Sequence, residues 1–485
     1  VDRLAAVSAA DVRRAAETWL ADGTCTVVSY APRGSGAPVG AWRPRRARTS
    51  GRRARIMEER PKGPPPAPFE RPALVAESSA PYCTREELVN GAVLVKCVSR
   101  SVPVASVAVS FRGGHSEEPE GYGGITYATQ KALLRGTTRY SAARLAEEVE
   151  TIGGGIGTAV DRDGFGIGLT VLSSRLERAT ELLSEVVTSP AFEPEQVAHA
   201  REEVTAEIGA AQDDPMSRAL LASLPLVLSD HPYGRPVRGT IEEVSRITSD
   251  DVASWHAERY GASRMVICGA GDVPDGGLDR LAAPAADAQP PRAVPDPTAR
   301  PEGDIVLESS GVGQSTVVVA FLGPPAGTDA SLALRVAARG LGMMGGVVWR
   351  ELREKPPHAY SVGASVFQFA RAGIVVGYAT SQPGGEEGVR DALLETFEGL
   401  AGGGLDDDDL GRAARSTAGS YEIALQRGSA RAAACSMAEI VGTGYERVFR
   451  TPELLRSVTR DDVVAAAAGH LVRERGAASV IVRGA

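Results

Sequence analysis

Histidine is scarce in this 485-residue chain, and the six present, His115, His199, His231, His256, His358 and His470, never stand three or four positions apart. No helical turn can therefore offer a pair of imidazoles to a metal ion. Cysteine is equally thin. Cys25, Cys83, Cys97, Cys268 and Cys435 are an odd number, and the closest pair lies 14 positions apart, which reads neither as a disulfide framework nor as a zinc knuckle. Positive charge is not in excess: 53 Lys and Arg face 61 Asp and Glu, leaving a net charge of -8 and no global basic field for nucleic acid. Long apolar runs are missing too. The stretch from Ala219 to Ser229 contains Pro225 and falls well short of the roughly 18 residues that cross a bilayer, so no membrane span is expected. No charged-then-apolar leader opens the chain at Val1; a targeting signal, if there is one, is expected outside these residues, and the compartment is not legible.

What is present begins with size. At about 150 residues per domain the length suggests roughly three domains, and 43% hydrophobic with 24% charged residues is ordinary globular composition. One pattern occurs three times: Val7 to Val12 (V-S-A-A-D-V), Ile247 to Val252 (I-T-S-D-D-V) and Val458 to Val463 (V-T-R-D-D-V). In each copy a Ser or Thr stands three residues before an Asp, an N-cap arrangement that starts a short helix. Nine residues beyond the Asp comes Leu20, Tyr260 or Leu471, followed by a β-branched run from Thr26, Met265 or Ser479. Each copy reads as helix, turn, strand. The second and third copies close segments of similar design that open with strands at Val104 and Ser315.

The expected organisation follows. Residues 1–31 are the tail of a preceding unit, 32–80 a linker rich in Pro and Arg, 81–282 a first repeat, 283–301 a second linker and 302–485 a second repeat. The arginines of the first linker read as a solvated connector rather than a nucleic-acid or membrane patch.

Gly124 to Thr137 (G-I-T-Y-A-T-Q-K-A-L-L-R-G-T) reads as a helix closed by Gly136, with Tyr127, Gln130 and Lys131 at i, i+3 and i+4 on one face. On spacing alone that is a polar helix face. Its flanks, with L-A-E-E-V-E-T-I-G-G-G-I-G-T-A from Leu145 and H-P-Y-G-R-P-V-R-G-T from His231, resemble the pitrilysin/insulinase family of zinc peptidases. The inverted motif of that family, H-x-x-E-H, lies in a helix of similar frame. The resemblance places Tyr127 and Lys131 where two zinc-binding histidines belong, and Gln130 where the water-activating glutamate belongs. Glu207 stands at the third ligand position. Three of the four positions are therefore lost, and no metal is expected in this chain, since a phenol binds zinc poorly and an ammonium repels it. A primary amide cannot take a proton from water. Lys131 is expected to pair with Glu207 in place of the metal. His199, Glu203 and Glu207, at i, i+4 and i+8, read as a solvated stripe rather than a second metal site.

The second repeat carries G-G-V-V-W-R-E-L-R-E-K-P-P-H-A-Y-S-V-G-A from Gly345. In the family such a segment supplies an Arg and a Tyr seven positions apart, here Arg353 and Tyr360, donors suited to a peptide carbonyl and to the oxyanion of a tetrahedral intermediate. Pro356 and Pro357 replace the usual turn residues between them. His358 reads as a surface residue, and the acidic run Asp406 to Asp409 as a helix N-terminus.

The resemblance implies an α+β fold of two tandem repeats, half of a peptidase clamshell, each an antiparallel-rich sheet with helices on one side. The function it implies is that of the substrate-binding, non-zinc half of a metalloendopeptidase. Zinc would sit in a partner half bearing H-x-x-E-H, upstream in the same polypeptide or on another subunit. The alternatives are a catalytically dead structural or assembly subunit and a peptide-binding module of the same family.

Overall fold

A computed structural model describes residues 7–20, 82–282, 289–298, 303–308, 313–354, 359–473 and 477–484. The chain divides into two compact units, Val1–Ser78 and Ser79–Ala485. In the first, helix α1 (Ala9–Trp19) opens with a full capping box: the Ser8 hydroxyl accepts from the Asp11 N–H while the Asp11 carboxylate accepts from the Ser8 N–H at 2.9 Å. The strand read from Thr26 and the linker over 32–80 lie outside the described residues.

The second unit holds two sheets. β1 (Tyr82–Glu87), β2 (Val93–Val98), β3 (Val104–Arg112), β4 (Gly155–Val160), β5 (Gly164–Leu172) and β6 (Met265–Gly271) lie in the order β1-β2-β6-β3-β5-β4. β7 (Gly303–Glu308), β8 (Ser315–Gly323), β9 (Ala359–Gln368), β10 (Gly373–Ser381) and β11 (Ala477–Arg483) lie in the order β7-β11-β8-β10-β9. Once β1 is set aside the two orders are the same, and only β2 with β6 and β7 with β11 pair in parallel. The fold is thus α+β, with one topology used twice.

The helices repeat likewise. The first repeat has α2 (Ile125–Leu133), α3 (Ala142–Thr151), α4 (Leu176–Thr188), α5 (Pro194–Asp213), α6 (Pro215–Leu228), α7 (Ile241–Arg246) and α8 (Ser249–Arg259), set between its strands. The second repeat has α9 (Asp329–Gly342), α10 (Glu386–Gly403), α11 (Asp407–Leu425), α12 (Gly428–Ile440), α13 (Tyr445–Arg456) and α14 (Arg460–His470). Capping boxes on Thr248 and Asp251 and on Thr459 and Asp462 start α8 and α14 in the same way as α1. The helix from Gly124 is shorter than expected: it stops at Leu133, and Gly136, at φ 126°, turns the chain beyond it.

Helices cover both sides of each sheet, not one. β6 is buried along its whole length and β3 over all but its two end residues, so each needs apolar partners on both faces. One face of each sheet packs on helices of its own repeat. The other is covered by a helix from the opposite repeat. Ala432, Cys435 and Ala438 of α12 lie against Val93, Val95 and Cys268 of the first sheet, while Leu224, Val227 and Leu228 of α6 lie against Val318, Ala320 and Val480 of the second. The two repeats have exchanged helices.

Two further readings are corrected. By length and composition the helical run Asp329–Leu352 could cross a membrane, with an 18-residue stretch of mean hydropathy 1.2, but 61% of that stretch is buried inside the fold, so its apolarity serves the core. A disulfide joins Cys83 to Cys97, which β1 and β2 place directly opposite each other; spacing alone could not show that register. Cys435 brings its Sγ within 3.9 Å of Cys97 Sγ, with Cys268 buried in the same layer.

Candidate functional site

The helix that carries the altered motif is fixed first at its N-terminus. The Glu118 carboxylate accepts from the N–H groups of Gly124 and Thr126, both at 2.9 Å, supplying acceptors to a helix end that has none of its own. His115, fully buried, holds Glu118 through Nδ1 at 2.7 Å and meets the Arg235 carbonyl through Nε2 at 3.1 Å. The loop at Arg238–Gly239 then crosses the start of α2 at very short range. A Cβ on Gly124 would lie 2.2 Å from the Arg238 carbonyl oxygen, and one on Gly239 would lie 2.1 Å from the Gly123 oxygen. Only glycine fits at either place. The crossing sets Arg238 above the helix, its guanidinium 5.1 Å from the Tyr127 ring centroid.

Tyr127, Lys131 and Glu207 come together. The Tyr127 hydroxyl donates to Glu207 Oε2 at 2.7 Å, Lys131 Nζ donates to Glu207 Oε1 at 2.7 Å, and Arg238 Nε donates to Oε2 at 3.0 Å. Lys131 also donates to Glu203 Oε1 at 2.8 Å, and Arg135 to Glu203 Oε2 at 2.7 Å. Partial burial alone would raise the Glu207 pKa, but the three donors outweigh it and hold the carboxyl below its usual range. For Lys131 burial works downward and the two carboxylates prevail, so its pKa rises. Burial, and then the hydrogen bond to Glu207, push the Tyr127 phenol up.

Gln130 leaves this group. A helix advances about 100° per residue, which puts Gln130 on the opposite side of Tyr127 from Lys131. There the packing of α8 takes it into the core, 1% exposed, where its amide N–H donates to the Tyr260 hydroxyl at 2.8 Å. Its Oε1 is buried without a hydrogen-bond partner among the described residues.

The donor set does not fit zinc. Both oxygens of Glu207 are engaged by cations, and the flanking positions offer a phenol, held above its ordinary pKa, and an ammonium.

In the second repeat, Arg353 lies in the single π-helical turn Arg350–Glu354; its side chain is outside the described residues, as are Pro356, Pro357 and His358. Tyr360 stands at the start of β9. Ala359 pairs with Ser381 and Ser361 with Thr380, so Tyr360 is the extra residue of a β-bulge, a device that re-aims a side chain. It is 50% exposed, and its hydroxyl accepts from Gln382 Nε2 at 2.7 Å. The acidic run caps α11, Asp406 accepting from the Asp409 N–H at 2.7 Å, and Arg350 holds Asp409 at 2.8 Å.

Two participants escaped the sequence reading, Arg238 and Gln382, while Glu203, read there as part of a solvated stripe, joins the group through Lys131 and Arg135. Arg238 alone had left a signal, the Arg-Gly step inside the stretch from His231. His199 keeps to the neighbourhood of Glu202, 3.4 Å away, at the surface.

Beside the site, β4 is an edge strand that among the described residues pairs only with β5. A cleft of about 460 Å³ runs along β4 and β5 and is closed by Ser429, Ala433 and Met437 of α12.

Two family models match the chain: insulinase (peptidase family M16) over residues 95–241 and peptidase M16 inactive domain over residues 246–417. An uncharacterized zinc protease of Mycobacterium tuberculosis is 28% identical over 421 residues, 85% of this chain and 95% of the relative. Another from Streptomyces coelicolor is 27% identical over 409 residues, 82% and 89% of the two chains. A probable mitochondrial-processing peptidase subunit beta of Arabidopsis thaliana is 27% identical over 195 residues, 40% of this chain and 37% of that one. Among solved structures, a peptidase M16 inactive domain from Pseudomonas fluorescens superposes with a TM-score of 0.75 at 21% identity, covering 83% of this chain and 98% of that one. A protease from Helicobacter pylori gives 0.75 at 18% identity, covering 83% and 100%. The two models belong to one family and between them take in more than half of the residues, so the chain is a member of the insulinase family of metallopeptidases, peptidase family M16.

Proposed function

We propose that this chain is the substrate-binding, non-zinc half of a zinc metalloendopeptidase that acts on peptides, and that it completes the active site of a partner half bearing H-x-x-E-H. The observation that carries this reading is the saturated Glu207. In a chain with the family's fold, a lysine, an arginine and a tyrosine occupy the carboxylate that a metal would need. The partner would hold zinc and supply the hydrolytic chemistry. The relative from Arabidopsis is named as one subunit of its enzyme, and an arrangement of unlike halves would be of the same kind.

The residues of this chain would then bind and orient. The free edge of β4 can receive an extended peptide as an added strand, with main-chain hydrogen bonds giving affinity. The cleft beside it, lined mainly by small residues such as Gly155, Gly157 and Ala433, leaves room for the peptide's side chains. Arg353 and Tyr360 would donate to the scissile carbonyl and to the charge that develops on it. The bulge at Tyr360 supports this role, since it frees the phenol from the regular strand alternation.

The test is reconstitution. The chain and its H-x-x-E-H partner should hydrolyse peptides together and neither should alone. Assembly without hydrolysis, or turnover unchanged in Arg353→Ala and Tyr360→Phe complexes, would assign the chain to a structural role instead.

A further inference from the structure

A cavity of about 430 Å³ lies between the two repeats, within the roughly 300–1,000 Å³ range of small-molecule sites. Its walls are apolar. Leu221 and Leu224 of α6 face it from the first repeat, and Phe367 and Ile374 of the second sheet close the other side. Three arginines also line it: Arg162, Arg218 and Arg238. Arg238 is committed to Glu207. The other two have no carboxylate within 4.0 Å among the described residues.

Each of those two is tethered by one backbone carbonyl. Arg162 Nε donates to the Tyr233 oxygen at 2.8 Å, with its guanidinium stacked 4.6 Å from the Phe369 ring centroid, and Arg218 Nη1 donates to the Glu308 oxygen at 2.8 Å. The remaining N–H groups of both have no protein acceptor among the described residues. Asp163, beside Arg162 in sequence, is engaged by the Tyr233 hydroxyl and the Ala370 N–H. Burial pulls the Arg162 pKa down against the weaker pull of Asp161 and Asp163, so the cation gains from any anion that reaches it.

We infer that this cavity is a binding site for an apolar molecule carrying one carboxylate. Guanidinium and carboxylate pair through two parallel hydrogen bonds, which fixes the head of the ligand. The leucine and phenylalanine walls take its tail. An inorganic anion would leave those walls unused, and a neutral lipid would leave the guanidiniums unpaired. A short fatty acid and the apolar C-terminal residue of a peptide share the required chemistry. The site uses neither Arg353 nor Tyr360, so it stands apart from the peptidase reading.

Calorimetric titration of the purified chain tests it, with octanoate against octanol and N-acetyl-trileucine against its C-terminal amide. At least one carboxylate should bind one to one and at least tenfold more tightly than its uncharged analogue, and the better of the two identifies the source. Arg162→Met should weaken that binding tenfold or more. Phe367→Asp, at a wall residue that is 41% exposed and so able to change without unfolding the chain, should abolish it. Equal binding of acid and uncharged analogue, no binding below millimolar concentration, or wild-type affinity in Phe367→Asp would overturn the inference. No partner half is needed, so the outcome is independent of whether the chain completes a peptidase.

Discussion

Tyr360 and Glu207 set the expectations at the residue scale. In the reconstituted enzyme Tyr360→Phe should lower kcat more than it raises KM, because a donor aimed at a developing oxyanion acts mainly in the transition state; losing one costs about 3 kcal/mol, a hundredfold or more in rate. Steady-state kinetics reads this directly. Metal affinity should return in Tyr127→His/Gln130→Glu/Lys131→His with Glu207 as third ligand, and adding Arg238→Ala should raise it further by freeing Oε2. Elemental analysis of the four-fold variant that shows no more zinc than wild type would overturn the placement of this helix on the inverted motif. The Glu207 pair also has a pH signature. Its folded pKa lies below the ordinary carboxyl value of about 4.3, so its stabilisation is full above that pH and is lost as pH falls through the folded value. Lys131 is raised above its ordinary value, so its share is full below about pH 10.4 and fades as pH rises through the folded value. The gap in Tm between wild type and Glu207→Gln should therefore hold at neutral pH and shrink under acid, by a modest amount because the site is partly exposed. Tyr127, Lys131 and Glu207 were legible because helix spacing and a family frame place them. Arg238 was not, since it reaches Glu207 from a loop whose path depends on two glycines meeting in space.

At the scale of elements, the crossing of α2 by Arg238–Gly239 is the joint that holds the site. Gly239→Ala would put a side chain at φ 70° and against the Gly123 carbonyl, at a cost of about 2 kcal/mol or more. Denaturant unfolding should show that loss, and the acid-dependent part of the stability should fall with it as Arg238 is displaced. An unchanged midpoint would mean the loop yields easily. Helix starts were the most readable elements: Ser8, Thr248 and Thr459 cap their helices through contacts only three residues long. The bulge at Tyr360 was hidden, because it exists only in the register between β9 and β10. The Cys83–Cys97 bond was hidden for the same reason, while Gln130 was drawn off the polar face by Tyr260, which follows it by 130 positions.

For the whole molecule, the exchange of α6 and α12 decides how the two repeats behave. Each sheet lacks a cover for one face until the other repeat supplies it, so the pair should unfold in one calorimetric transition. Leu228→Ala, in a fully buried residue of α6 that packs on the second sheet, should cost about 2–5 kcal/mol and lower that single transition without splitting it. Two separated transitions would show that the repeats fold independently. The doubled topology was readable from the recurring motif, but the exchange was not, because an apolar helix carries no mark of which sheet it will cover. The same exchange bears on synthesis. Chains emerge N-terminus first at about 5–20 residues per second. The first sheet has all its strands once Gly271 has left the ribosome, yet the helix that seals its outer face, Gly428–Ile440, is still to be translated. During that interval the Val93, Val95 and Cys268 face is open to water, a window in which a nascent chain would be held by a chaperone or would aggregate.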